Sequence, residues 1–302
     1  MSTETDADYE SAPFRRKTRR QKVFAVLPTM LTLGNAVCGF GAISIAAKVG
    51  PDSFGGNELI VASQLIFLAM LFDALDGSAA RLTNQTTDFG AQLDSLCDVV
   101  SFGAAPAFIM LQLTHPAHHL MNTVENAPFE YHPRVLFAIA ALFLVCATLR
   151  LARFNVETDE DDSHDAFSGL PSPAAAGVIV SFPIGLRGLK DLVTESTASW
   201  VAPVLQIVRP SLVVLLPLIA LATAMLMVSR IPYPHVFNQF VRGQRGRKQM
   251  IQMVFAIALV FVVREMALPV LFCAFAFAAP LQKAWQKSLK PAIHGKGTAV
   301  GG

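Results

Sequence analysis

The 302 residues are 53% apolar and only 15% charged, with a mean hydropathy of +0.48, which excludes an ordinary soluble domain because so much apolar surface must face lipid. A net charge of +2 is too small to hold a polyanion and no separate basic domain is present, so no nucleic acid is expected as a partner. Cys38, Cys97, Cys146 and Cys273 all fall in apolar segments without C-x-x-C spacing and read as small hydrophobes.

Residues 1–22 begin acidic and end in the cations Arg15, Arg16, Lys17, Arg19, Arg20 and Lys22. With no signal-peptide pattern they read as a retained cytoplasmic basic tail, whose charges keep that side of the first helix inside and could touch anionic membrane lipids. The first apolar segment, about 24–48, carries Pro28, Thr32 and Asn35 near one helical face. Such polar side chains either glue helices together or face a ligand. A Gly- and Pro-containing loop at 50–57 leads to a second segment at about 59–82, a polar linker at 83–89 and a third segment at about 90–113.

The second and third segments hold four carboxylates where an unpaired ion is expensive. Asp73 and Asp76 are i,i+3, and Asp94 and Asp98 are i,i+4, so each pair projects from one helix face. Both pairs lie near the linker, which places them together at one membrane face. Two facing pairs would make a four-carboxylate cage that repels itself unless a hard cation, Mg²⁺ or Mn²⁺, takes the oxygens as ligands. Gly77, Ala80 and Gly90 leave room for a close ligand, and Arg81 adds a forked cation suited to phosphate. The plainer alternative, charges at helix ends facing water, explains single acids better than the whole pattern.

Residues 114–133 are polar; His115, His118 and His119 lack the ligand spacing of a structural zinc site and read as solvated loop. A fourth segment, about 134–152, closes with Arg150, Arg153, Phe154 and Asn155, and a loop with Asp159, Glu160, Asp161, Asp162 and Asp165 leads to Gly169-Leu170-Pro171-Ser172-Pro173. Arg150 and Arg153 stand on one face, as membrane anchors or as a joint grip on an anion. A fifth segment at about 172–188, a polar connection with Arg187, Lys190 and Glu195, and a sixth at about 202–229 follow. Pro232 and Pro234 end the last of these. After a basic loop at 242–248, the apolar stretch 250–281 is long enough for two short spans, and the tail 283–302 is basic and flexible. The expected architecture is therefore an all-α, polytopic integral membrane helical bundle with about eight transmembrane helices. With eight spans the cations gather on one side, which would make the acid-bearing face and both termini cytoplasmic.

The run D-x-x-D-G-x-x-A-R-x8-G-x-x-x-D-x-x-x-D, met by Asp73, Asp76, Gly77, Ala80, Arg81, Gly90, Asp94 and Asp98, resembles the signature of the CDP-alcohol phosphotransferase family. Pro28-Thr29-x-x-Thr32-x-x-Asn35, Arg150-x-x-Arg153-Phe154-Asn155 and the Gly169-Leu170-Pro171 stretch are similar to its serine-using branch, except that Thr29 replaces an expected Asn. The resemblance implies a six-helix core within a membrane domain at 23–235, followed by a basic loop and C-terminal helix pair at 236–282. It implies divalent-metal-dependent transfer of a phosphatidyl group from CDP-diacylglycerol to L-serine, releasing CMP, in a prokaryotic cell membrane. It assigns metal binding to Asp73, Asp76, Asp94 and Asp98, with Asp98 also the base. CDP-lipid contacts fall to Thr32, Asn35, Gly77, Ala80, Arg81 and Gly90, acceptor or lipid-phosphate contacts to Arg150, Arg153 and Asn155, and a homodimer is expected. Alternatives are another acceptor, glycerol 3-phosphate or inositol phosphate, and, from another class, a cation transporter. Transporter sites usually lie near the bilayer midplane on broken helices, often with internal repeats, and neither is visible in the sequence.

Overall fold

All regular structure among the described residues is helical, as expected where a bilayer offers the backbone no hydrogen bonds. The computed structural model describes residues 19–49, 57–83, 88–114, 131–160, 169–195, 201–233 and 266–294, with only the backbone described at several helix ends. In chain order these are α1 (Arg19–Ala46), α2 (Glu58–Thr83), α3 (Asp88–Asp98), a π-helical turn (Val99–Ala104), α4 (Ala105–Thr114), α5 (Pro133–Glu160), α6 (Ser172–Glu195), α7 (Val201–Val228) and α8 (Ala267–His294).

Among the described residues, six stretches are long and apolar enough to cross a membrane: Pro28–Ala46, Glu58–Ser78, Phe89–Thr114, Pro133–Val156, Ser172–Asp191 and Ile207–Val228. The chain is thus an integral membrane protein whose described residues are helical and hold six candidate spans. Of the expected C-terminal pair, the first member falls largely outside the described residues, and Ala267–Lys283 of α8 is a shorter apolar helix.

Helix α6 is the centre of the bundle: 78% of its span is buried, against 33% for α1, α2, α5 and α7. Small residues near its start let neighbours approach on both sides. Ala175, Val178, Ile179 and Phe182 join a core with Phe143 and Ala147 of α5, Leu216 and Ala220 of α7 and Ala276 of α8. Ala176 and Val180 join a second core with Ala42 of α1, Ile66 of α2, Phe102 and Ile109. At Gly177 the Phe272 ring of α8 lies so close that a side chain there would force it away. The large apolar residues left exposed, such as Met30, Leu33, Val37 and Phe40 along one stripe of α1, are what lipid-facing helices require.

Two expectations are corrected, and the third segment carries a feature its apolar pattern did not predict. The third segment is not one uniform helix: Pro106 has no N–H for the carbonyl four residues back and its ring crowds that carbonyl, and the chain widens into a π turn in which Ala105 N–H bonds Val100 O. Asp159 and Glu160, expected in a loop, belong to the last turn of α5. Arg187, Lys190 and Glu195, expected in a connection, continue α6, where Arg187 meets Asp191 one turn on and donates to Asn57 Oδ1 at 3.2 Å.

The segment entering α6 is pinned to the end of α7. Gly169 N–H donates to Ile231 O at 2.9 Å and Leu170 N–H to Leu226 O at 3.0 Å, the latter a carbonyl at the end of α7 that also accepts from Ser229 Oγ at 2.8 Å. Gly169 has φ +98°, and a Cβ there would stand 3.0 Å from Ser229 O and closer still to Met227 O. Gly169→Ala is therefore expected to cost about 1–3 kcal/mol, read as a melting temperature lowered by several degrees in detergent. An unchanged melting temperature would show that this conformation is not required.

Candidate active site

Asp73 and Asp76 face the same way near the end of the α2 span, and α3 returns from the linker to bring Asp94 against them. One carboxylate oxygen from each of the three lies within 4.8 Å of the others. Asp76 is 5% exposed, and Asp76 Oδ2 and Asp94 Oδ1 are buried without a hydrogen-bond partner. Converging carboxylates with unsatisfied oxygens are unstable on their own and match the donor set of a hard divalent cation. The Thr32 hydroxyl, which donates to Pro28 O at 3.0 Å, lies against Asp76.

The fourth acid is held differently. Asp98, one turn deeper on α3 and 7% exposed, accepts a hydrogen bond on Oδ1 from Asn35 Nδ2 at 2.8 Å. The three-acid cluster does not include it, yet it lines the same cavity as Asp73 and Asp94. The expected cage is thus three acids around one point with the fourth beside them. Asn35, expected near nucleotide, donates from Nδ2 to Asp98, keeps a buried Oδ1 without a partner, and is fully buried and absent from the cavity wall.

The cavity, about 740 Å³, lies between α3 and α5 and is closed by the start of α6. That volume suits a nucleotide-sized ligand. Opposite the acids, Arg150 of α5 and Ser172 and Pro173 of α6 form the wall, with Phe154 and Asn155 further along α5. Arg150 Nη1 donates to Ser172 Oγ at 2.8 Å, while its Nε is buried with no partner. Ser95 Oγ donates to Asn155 Oδ1 at 3.0 Å and ties α3 to α5 across the floor. The sequence reading missed Ser95 and Ser172 as site residues; the neighbouring motifs were the only signal, since their partners lie 60 and 22 positions away.

Other expected residues are placed less centrally. Arg153 is half-buried on α5 and is not part of the cavity lining. Gly77 is exposed, and a Cβ added there would meet nothing within 4 Å, so the face beside Asp76 is open. Gly90 lies one turn before Asp94 on α3. Ala80 and Arg81 occupy the last turn of α2, where only the backbone is described. Every placed member of the site lies at the same end of the bundle, where α2, α5 and α7 finish and α3 and α6 begin.

Fold and site together define a polytopic membrane protein in which a cluster of acids that could hold a metal ion stands beside a cavity lined by an arginine at one end of the bundle. Residues 25–208 match the family model described as CDP-alcohol phosphatidyltransferase, more than half of the 302 residues, and the chain belongs to that family. It is 34% identical over 155 residues to a CDP-diacylglycerol--serine O-phosphatidyltransferase of Helicobacter pylori, covering 51% of this chain and 56% of that protein. It is 40% identical over 124 residues to the protein of the same name from Methanocaldococcus jannaschii, covering 41% and 51%, and 32% identical over 215 residues to an archaetidylserine synthase of Methanothermobacter thermautotrophicus, covering 70% and 71%. The chain thus spans about half the length of the first two relatives and over two thirds of the third.

Proposed function

We propose that this protein transfers the phosphatidyl group of CDP-diacylglycerol, or of a close archaeal-type analogue, to L-serine, forming phosphatidylserine and CMP. The observation that carries the reading is the shared cavity, with Asp73, Asp94 and Asp98 on one wall and Arg150 on the other. The names of the relatives support serine as acceptor.

In this reading the serine hydroxyl oxygen attacks the lipid-linked phosphorus. The bond from that phosphorus to the CMP oxygen breaks, CMP leaves with the electron pair, and Asp98 takes the hydroxyl proton. Asp73, Asp76 and Asp94 would hold the divalent cation, Mg²⁺ or Mn²⁺, which when bound neutralises charge on the pyrophosphate. Arg150, its Nη1 anchored on Ser172, orients an anionic group, and Asn155 sits on the acceptor side. The walls keep the reactants in line, and positioning of this kind supplies much of the rate in phosphoryl transfer.

The site would face the cytoplasm, where serine and nucleotide-activated lipid meet. An arrangement of about eight spans, with both termini on that same side, would agree with the gathering of cations there.

The test is an acceptor screen: purified protein, labelled CDP-diacylglycerol and Mn²⁺, with serine, glycerol 3-phosphate and inositol phosphate offered separately. Product with serine alone is expected. Product only with another acceptor would reassign the substrate, and none with any acceptor would overturn the reading.

Arg150→Lys keeps a cation but loses the planar fork. A charged hydrogen bond is worth about 1.5–3 kcal/mol, so KM should rise about tenfold or more for whichever anionic substrate Arg150 holds, with kcat changed less. Unchanged KM for both serine and the CDP-lipid would reduce Arg150 to a membrane anchor.

A further inference from the structure

We propose that Asn35 is a positioning residue for Asp98 rather than a nucleotide contact, and that the π turn exists in part to hold it there. The inference rests on the assignment of Asp98 as the acceptor of the serine proton. Asn35 makes two hydrogen bonds, with its side-chain Oδ1 left buried and without a partner. Its side-chain Nδ2 donates to Asp98 Oδ1 at 2.8 Å, and its main-chain carbonyl accepts from Ser101 Oγ at 2.9 Å. Asn35 and Ser101 are both fully buried.

Ser101 lies in the π turn that begins directly after Asp98, so one short stretch supplies both the acid and the group that locks the acid's partner. The approach is possible because residue 39, one turn along α1 from Asn35, has no side chain. A Cβ on Gly39 would stand 2.7 Å from Ser101 Cα and closer still to its hydroxyl. The result is a clasp between α1 and the third span. Asp98 Oδ1 is committed to the clasp, which leaves Oδ2 as the oxygen for the cavity. A base held by a rigid second residue needs no reorientation before it accepts a proton. Asn35 itself does not line the cavity, which argues against direct contact with the CDP-lipid.

Asn35→Leu removes the donor while keeping a similar shape. It is expected to lower kcat for serine transfer by at least ~10-fold, a fraction of the ~10²–10⁴-fold that a general base supplies. KM for the CDP-lipid, and the rise in melting temperature that CDP-diacylglycerol with Mn²⁺ gives the detergent-solubilised protein, should be unchanged. Ser101→Ala, which frees only the main-chain end, should show the same split in smaller measure, and it serves as the test should Asn35→Leu fail to insert. Asn35→Ser, short but able to donate, should fall no lower than the Leu variant. Loss of the lipid-induced thermal shift along with kcat would make Asn35 a substrate contact and overturn the clasp. Wild-type kcat in Asn35→Leu, or in Ser101→Ala where Asn35→Leu does not insert, would also overturn it while leaving serine transfer standing. Absence of serine transfer by the unaltered protein would instead strike the underlying assignment, and the clasp with it.

Discussion

Asp76→Ala is expected to abolish turnover while the protein remains inserted and folded in the membrane. Asp76 is the most buried member of the three-acid cluster, and its Oδ2 has no protein partner. In the proposed mechanism its removal would take away one of three carboxylates converging on the cation and leave Asp73 and Asp94 to hold it alone. Partners in the outer shell of a metal typically cost ~10–100-fold when lost, and a ligand should cost more than that. The check is phosphatidylserine formation by purified variant with Mg²⁺ or Mn²⁺ titrated to excess, beside chelation of the wild type, which should stop the reaction until cation is returned. Because burying three carboxylates without a cation is unfavourable, the apo variant is expected to melt no lower than the apo wild type. Activity near wild type in Asp76→Ala would remove the cluster from the mechanism.

Asp98→Asn should separate chemistry from binding. The amide keeps the size of the carboxyl group and can still meet Asn35, but it cannot accept the hydroxyl proton at neutral pH. A rate loss of ~10²–10⁴-fold is expected, with the affinity for CDP-diacylglycerol in the presence of Mn²⁺ nearly preserved, since Asp73, Asp76 and Asp94 form the cluster without Asp98. If affinity collapses along with rate, Asp98 acts mainly as a fourth ligand. If the rate holds, serine loses its proton to another group and the mechanism drawn above is wrong.

Much of the site was legible because helical periodicity is a local rule. The i,i+3 spacing of Asp73 and Asp76 and the position of Asp94 after a short linker were enough to bring their carboxylates together, and six of the apolar segments match spans to within a few residues. What escaped depends on contacts between distant positions. Nothing near Asn35 in the chain points to Asp98, 63 residues on. Ser172 reads as the start of a helix, and only the docking of Gly169 and Leu170 on α7 brings its hydroxyl to Arg150. The π turn had a signal in Pro106, yet a proline within an apolar run marks a disturbance without saying whether the helix will kink or widen. The end of α5 at Asp159 and Glu160 is not legible from charge alone, because a helix leaving the bilayer can continue into water with charged turns.

The position of the cavity at one end of the bundle has a consequence for supply. A ligand with a nucleotide head and acyl tails can reach that end only by diffusing within the plane of the bilayer, while a free amino acid arrives from the aqueous phase. In the proposed reaction the same cavity would therefore sample two reservoirs of different dimensionality. For the lipid the relevant concentration would be its mole fraction among the surrounding lipids, so diluting it with inert detergent should slow the reaction at fixed bulk amount, whereas serine would obey its ordinary concentration in water.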